Sequence, residues 1–341
     1  MGNKRVLLTR GVKRFGRGAL AFLASVMVFG GIVPSTVFAA DTTANTLKVT
    51  PVRSDIEIPA GQKKTVPVTV SNVTDSPILV RAITNDFVAG DERGTPAIIL
   101  DPNAFAPTHS LKRFMSPIAD VTIPAGKSKV VEVVITVPAN AQAGGYFGAV
   151  RFAPTDPDGG GQVNLSASVA SLILMTVPGP TVDKLTLTDF TVKQKDQSNW
   201  YFTTPNDITL TFRLENKGNV QQGPFGKITV KKGDEVIHDV NFNEDSPRDM
   251  VLPNSARRWD VPLEGISGFG QYTVTATLTY GAKNQTIQMT ETFWIIPVWV
   301  MIAVGVGVVL LLLLIVLIWW LIRRRRNRRV SLSGGYGLRR R

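Results

Sequence analysis

IPAGKSKVVEVVITV, residues 123–137, decides how the body of this chain folds. Val130–Val137 is crowded with Val and Ile and has period two, not the 3.6 of a helix, and Pro124 and Gly126 stand just ahead of it. The same reading holds for Val66–Val70, Ile78–Ala82 and Ile208–Leu214, each bounded by Pro, Gly, Asn or Asp. From Thr46 to Phe293 no stretch shows a helical apolar stripe with caps. Many short strands at regular spacing predict antiparallel β-sandwiches.

The turn before the strand recurs. Ile58-Pro59-Ala60-Gly61 precedes Thr65–Val70, Ile123-Pro124-Ala125-Gly126 precedes Val130–Val137, and Leu252-Pro253-Asn254 precedes Trp259–Leu263. Proline presets φ for the second position of a β-turn and glycine tolerates positive φ after it, so the unit launches a strand out of a turn. Asn72-Val73-Thr74 and Asn216-Lys217-Gly218 are expected to close strands at equivalent places, with Gly218 supplying a permissive φ. Between the copies lies Pro178-Gly179-Pro180, where neither strand nor helix can continue. The expected organisation is therefore two immunoglobulin-like sandwiches, 40–177 and 182–293, joined by a linker at 178–181.

The ends fix where those sandwiches work. Val298–Ile322 (VWVMIAVGVGVVLLLLLIVLIWWLI) carries no charge and RRRRNRR follows it at once. As helix it spans about 38 Å at about 1.5 Å per residue, more than the roughly 30 Å hydrocarbon core of a bilayer. Trp294 and Trp299 at one end and Trp319 and Trp320 at the other make an aromatic belt. We expect a transmembrane segment at 294–322 and a basic cytoplasmic tail at 323–341. At the N-terminus, six basic residues precede an apolar run, Ala19–Val33, and Val37-Phe38-Ala39 suits cleavage after Ala39. A cleaved export signal at 1–39 makes the topology type I, ectodomain outside.

Setting aside the 6 basic residues of the N-terminal region and the 9 beyond Ile322 turns the formal +12 into −3 for the segment between. The charge thus reports targeting, and a nucleic-acid surface is not expected. With no cysteine, disulfide scaffolds, zinc-thiolate sites and cysteine nucleophiles are excluded. The two histidines, His109 and His238, fall in different halves, so triads and histidine-rich metal sites have little to be built from. The acidic runs Asp156-Pro157-Asp158 and Asn243–Asp249 lack calcium-loop spacing and read as solvated loops. Neither catalysis nor a cofactor is expected.

Binding is the remaining class. Asn85–Ser116 reads as a long irregular loop with at most one short strand, Ala97–Leu100, and loops of that length in compact sandwiches are often functional. It carries Phe105, His109, Lys112, Arg113 and Phe114, aromatic and cationic groups suited to sugar rings and carboxylates. Two of them, Phe105 and Phe114, are read equally well as pins to the core. Tyr146 is read either as a structural tyrosine whose hydroxyl caps a loop or as a ligand-facing ring. Trp200-Tyr201-Phe202 follows a polar run, and alternation along a strand requires an outward-facing ring there.

Met115–Phe152 (MSPIADVTIPAGKSKVVEVVITVPANAQAGGYFGAVRF) and Leu47–Asn72 (LKVTPVRSDIEIPAGQKKTVPVTVSN) resemble the WxL-interacting surface proteins of Gram-positive bacteria. The resemblance implies the same order of parts: signal, two immunoglobulin-like domains, one span and a basic tail. It also implies a first domain that binds peptidoglycan and a second that binds a protein partner. The expectation is a cell-surface binding or scaffolding protein whose partners are cell-wall polymer or a surface protein, and the lipid bilayer through Val298–Ile322. The alternative is an export accessory whose first domain adds strands to clients, favoured if Lys63-Lys64 or Lys112-Arg113 borders an exposed edge strand.

Overall fold

The structure, a computed structural model, describes residues 46–155 and 168–330. The expected signal peptide, Asp156-Pro157-Asp158 and the end of the basic tail lie outside the described residues. Eighteen strands and one long helix make up the described chain. The architecture is all-β, two antiparallel immunoglobulin-like sandwiches followed by a C-terminal helix.

In the first sandwich β1 (Leu47–Thr50), β3 (Lys63–Asn72) and β7 (Ser128–Thr136) form one sheet in the order β1-β3-β7. The facing sheet runs β2 (Arg53–Glu57), β9 (Val169–Val177), β8 (Gly144–Thr155), β4 (Ile78–Ala89) and β5 (Pro96–Ile98), and β6 (Val121–Ile123) also pairs with β4. The first strand changes sheets at Pro51-Val52. β1 is antiparallel to β3, whereas β2 is parallel to β9. Proline has no N–H to continue a ladder, so the crossing falls where a ladder must end anyway.

Period-two patterning builds the core. Val66, Val68 and Val70 of β3 and Val131, Val133 and Ile135 of β7 turn inward onto Val150, Phe152, Ile173 and Met175 of the facing sheet. Each such side chain contributes about 1.5–3 kcal/mol on burial. The second sandwich pairs β10 (Leu185–Gln194), β11 (Gln197–Ser198), β13 (Ile208–Asn216) and β16 (Ser255–Pro262) against a five-stranded sheet. That sheet is ordered β12 (Tyr201–Phe202), β18 (Gln285–Ile295), β17 (Gly270–Tyr280), β14 (Phe225–Lys232) and β15 (Glu235–Phe242). Its core holds Phe212, Tyr272 and Phe293, with Tyr272 stacked on Phe293 at 5.5 Å between centroids.

A third apolar cluster joins the two sandwiches. Phe87, Phe147, Ala149 and Leu174 on the outer face of the first pack with Met250 and Leu252 of the second. For that reason β8 is buried along almost its whole length on both faces. Polar contacts surround the cluster: Arg213 donates to Glu92 through Nε at 2.9 Å and Nη2 at 2.8 Å, Arg258 N donates to Glu92 O at 2.6 Å, and Arg53 Nη1 donates to Arg248 O at 2.6 Å.

Several expectations are corrected. Gln62 N bonds Pro59 O and Lys127 N bonds Pro124 O, each at 3.1 Å. Proline thus occupies the first turn position, not the second, and Gly61 (φ 80°) and Gly126 (φ 62°) occupy the third, where positive φ is required. Only in the third copy, closed by Ser255 N to Leu252 O at 3.2 Å, is proline second, with Asn254 (φ 56°) third, and its strand starts at once at Ser255. Gly218 has no positive φ; its need for glycine is steric, because a Cβ there would overlap the Val182 carbonyl oxygen. Asn85–Ala89 is not loop but the end of β4, where Asn85 and Asp86 are fully buried, and the short strand is Pro96–Ile98 rather than Ala97–Leu100. Trp294 and Ile295 belong to β18 rather than to the membrane segment, because they pair with Gln271 and Gly270 on one side and with Tyr201 and Phe202 on the other. The helix, α1, begins at Val298 and runs to Val330, past Ile322 into the arginine run.

Candidate functional site

Asp86 organises the candidate region. It sits fully buried near the end of β4, and its carboxylate accepts Ala106 N (2.9 Å) and Ser110 Oγ (2.6 Å) on one oxygen and Lys112 N (2.8 Å) on the other. Beside it Asn85 Nδ2 donates to Ile99 O at 2.7 Å, and Ile99 N donates to Asp86 O at 2.9 Å. A buried carboxylate is tolerated because so many donors converge on it. In exchange, a segment with little ladder of its own is fixed at both ends.

That fixation carries the candidate side chains to the first residues of β8. Phe147 N donates to His109 O at 2.8 Å, and His109 itself is held at φ 59°. Its Nδ1 lies 2.6 Å from Gly145 O. A carbonyl only accepts, so Nδ1 carries a proton. Arg113 and Phe114 follow on a short 3-10 turn, Lys112–Phe114, and the Phe114 ring lies 5.0 Å from that of Tyr146. The Tyr146 hydroxyl donates to Gln142 O at 2.9 Å and so ties the loop before β8, and the residue also lines the groove described next. Burial pushes the phenol above its ordinary pKa.

Together these residues line a groove of about 460 Å³, whose wall includes Thr108, His109, Arg113, Phe114, Gln142 and Tyr146. No carboxylate lines it. It offers two aromatic faces, a guanidinium, an imidazole and amide and hydroxyl groups. Such a set stacks on rings and takes carboxylates or hydroxyls. Ser110 donates to the buried Asp86, and His109 is turned to a carbonyl rather than to that hydroxyl. Among the described residues no group of three or more carboxylates, histidines or cysteines is placed to hold a metal ion.

Phe105 and Lys112 stand beside the groove rather than in it. Lys112 Nζ donates to Pro102 O (2.6 Å) and Ala104 O (2.9 Å), so its charge is used to close its own loop. The exposed Phe105 ring lies under both Lys112, 4.7 Å away, and Arg113, 4.4 Å away. Trp200 and Tyr201 are not part of this site. They belong to the second sandwich, where Tyr201 opposes Trp294.

Sequence reasoning missed Asp86, Gln142 and Asn219. Asn219 comes from the second sandwich and closes the groove: its Nδ2 donates to Ala143 O at 3.0 Å and its O accepts Gly145 N at 2.8 Å. A Cβ on Gly144 would lie 2.8 Å from Asn219 O. The Gly144-Gly145 pair opening a strand was the available signal, because glycine there marks close backbone approach.

No protein-family model and no curated protein matches the chain. Among solved structures, the class 5 fimbriae chaperone CfaA is 14% identical, with a TM-score of 0.36 over 74% of this chain and 99% of that one. A chain of the CsuC–CsuE chaperone–tip adhesion subunit complex from archaic Csu pili of Acinetobacter baumannii is 13% identical, with a TM-score of 0.35 over 71% and 97%. A chain of the Salmonella enterica SafA pilin–SafB chaperone complex is 13% identical, with a TM-score of 0.33 over 74% and 97%. At these scores the likeness assigns no partner, residue role or activity to this chain.

Proposed function

We propose that this chain is a membrane-anchored, non-catalytic surface-binding protein of the WxL-interacting type. It presents the groove at Arg113, Phe114 and Tyr146 to a carboxylate-bearing sugar–peptide polymer of the cell wall. The observation that carries the reading is the convergence of candidates 32 or more residues apart in sequence, His109–Phe114 and Tyr146, onto one groove without acidic residues. Anchoring is supported by α1, where an 18-residue stretch within Val298–Arg325 has a mean hydropathy of 3.3 and no buried residue. Arg323 and Arg324 lie 5.1 Å from the rings of Trp319 and Trp320, where a cytoplasmic interface would hold both residue types. The ectodomain faces outward in this reading.

The full-length chain in nanodiscs is expected to sediment with purified sacculi. Arg113→Glu should abolish sedimentation, because it sets a carboxylate against the carboxylates of the polymer, while Lys129→Glu on the far sheet should not. Equal loss for both variants, or retention by both, would refute the groove as the site.

One observation favours the strand-adding alternative. β1 flanks only Thr69–Asn72, so Lys63–Val68 of β3 is paired on its β7 side alone, next to the paired lysines. Pro67 interrupts that edge and has no N–H to offer a client strand. Lys112-Arg113 lies on a 3-10 turn, and the residues after it, Met115 and Ser116, cover the other side of β7 at Ile135 and Val134. Saturable binding of extended apolar peptides, abolished by Thr65→Pro, would establish this alternative; absence of peptide binding would remove it.

A further inference from the structure

The end of the second sandwich nearest α1 is built differently from the opposite end. β18 stops at Ile295 and α1 starts at Val298, leaving Ile296 and Pro297 between them. Two residues reach at most about 7 Å. Even that reach is not free, since Ile296 N donates to Phe202 O at 2.8 Å and Val300 N to Pro297 O at 2.9 Å. Wherever α1 enters the bilayer, this end of the sandwich is therefore held within a few ångströms of the headgroups.

Large aromatic side chains are exposed there. Trp200 precedes β12 and is 66% exposed, with its carbonyl accepting Trp294 N at 2.9 Å and its ring 4.7 Å from that of Tyr201. Phe269, in the loop before β17, is 49% exposed and lies 6.0 Å from the Trp294 ring. Trp299, in the first turn of α1, is 67% exposed. Two loops distant in sequence, the end of a strand and the start of the helix thus bring aromatic rings to one end. Leaving such rings in water forgoes the burial that their area rewards. Rings of this kind are favoured at headgroup level, where one edge is apolar and the other wet.

We propose that Trp200, Phe269 and Trp294 form a lipid-docking platform that seats the second sandwich on the outer surface of the bilayer. The proposal rests on α1 crossing that bilayer, and adds that the ectodomain does not swing freely on its anchor. Lys232, whose side chain lies against Gly270, donates through Nζ to Ser267 O at 3.0 Å, so its charge is engaged by its own end of the sandwich. Docking in this proposal is by aromatic insertion.

The chain contains no cysteine, so one introduced cysteine gives a unique label. Full-length Asn199→Cys, Lys283→Cys and Leu312→Cys variants would each carry an environment-sensitive fluorophore in phosphatidylcholine vesicles. Lys283 marks the turn before β18, at the far end of an eleven-residue strand, and Leu312 the middle of α1. Position 199 is expected to be shielded from aqueous iodide and quenched by nitroxide placed at headgroup level. Position 283 should stay open to iodide and position 312 should be quenched by nitroxide deep in the acyl chains. Adding Trp200→Ser with Phe269→Ser should restore iodide access at 199. Iodide access at 199 equal to that at 283, with deep quenching at 312 intact, would overturn the platform and leave the anchor standing. Shielding that survives the double substitution would also overturn it, since the tether alone would then be the cause. Loss of deep quenching at 312 would overturn anchor and platform together.

Discussion

Asn72 and Asn216 do the same work in the two sandwiches. Each ends a long strand of its module, β3 or β13, and is buried, and each side-chain oxygen accepts the backbone N–H two residues on, Thr74 and Gly218. Each Nδ2 donates to the carbonyl four residues on, Ser76 or Val220, and then across the fold to the chain entering the proline turn, at Ile123 or Val251. One amide thus staples two turns, and no water is needed to satisfy them. Asn216→Ala orphans the Val220 carbonyl and the Gly218 N–H, at about 1–3 kcal/mol for each group left unsatisfied, and leaves the Val251 carbonyl with the Gln222 N–H alone. Chemical denaturation should show a lowered midpoint for the second sandwich, with Asn216→Asp intermediate because it keeps only the acceptor. That these asparagines bond backbone in turns was legible from their place in the sequence. Their reach across to Ile123 and Val251 was not, since it depends on which turns the fold stacks together.

The β4–β5 hairpin acts as a clasp between the sandwiches. Asp91 Oδ1 accepts Arg93 N and Thr95 N, each at 2.9 Å, and the Thr95 bond chiefly holds its carboxyl below the ordinary aspartate pKa. At the tip Glu92 meets Arg213, with Arg258 3.9 Å away. The hydrogen bond from Arg213 lowers the Glu92 pKa from 4.5, and Glu92 in turn raises that of Arg213. A carboxyl with a lowered folded pKa contributes stability that is fully present above 4.5 and is lost as pH falls through its folded value. Acidification below about pH 4.5 should loosen the clasp, seen as faster amide exchange at Arg258, whose N–H is held by Glu92 O. Glu92→Gln should show the loosened exchange at neutral pH and lose the acid transition. The side chains are well exposed, so the change in global stability should be only about 0–1 kcal/mol. The whole stretch read as loop because its polarity and glycines are those of a turn; that its charges face a second module was invisible locally.

At the scale of the molecule, α1 and the two sandwiches obey different solvents. From Val298 to Ile322 the helix carries no charge, and Met301–Ile322 is exposed throughout, which suits lipid and not water. Leu312→Arg should cost about 2.5–3.5 kcal/mol of insertion, so a larger share of the chain should be extracted from membranes by carbonate. Strand period, the proline turns, the span and the absence of cysteine chemistry were all determined by the sequence, because each depends on residues close together along the chain. The groove, the clasp and the cluster of Phe87, Phe147 and Leu174 with Met250 and Leu252 were decided only by tertiary structure. Their partners lie in separate modules, and period two says that a face is apolar without saying which surface will cover it. Asn219 shows the difference most plainly: as sequence it is one more turn asparagine, and only the docking of two sandwiches puts it at the edge of a groove.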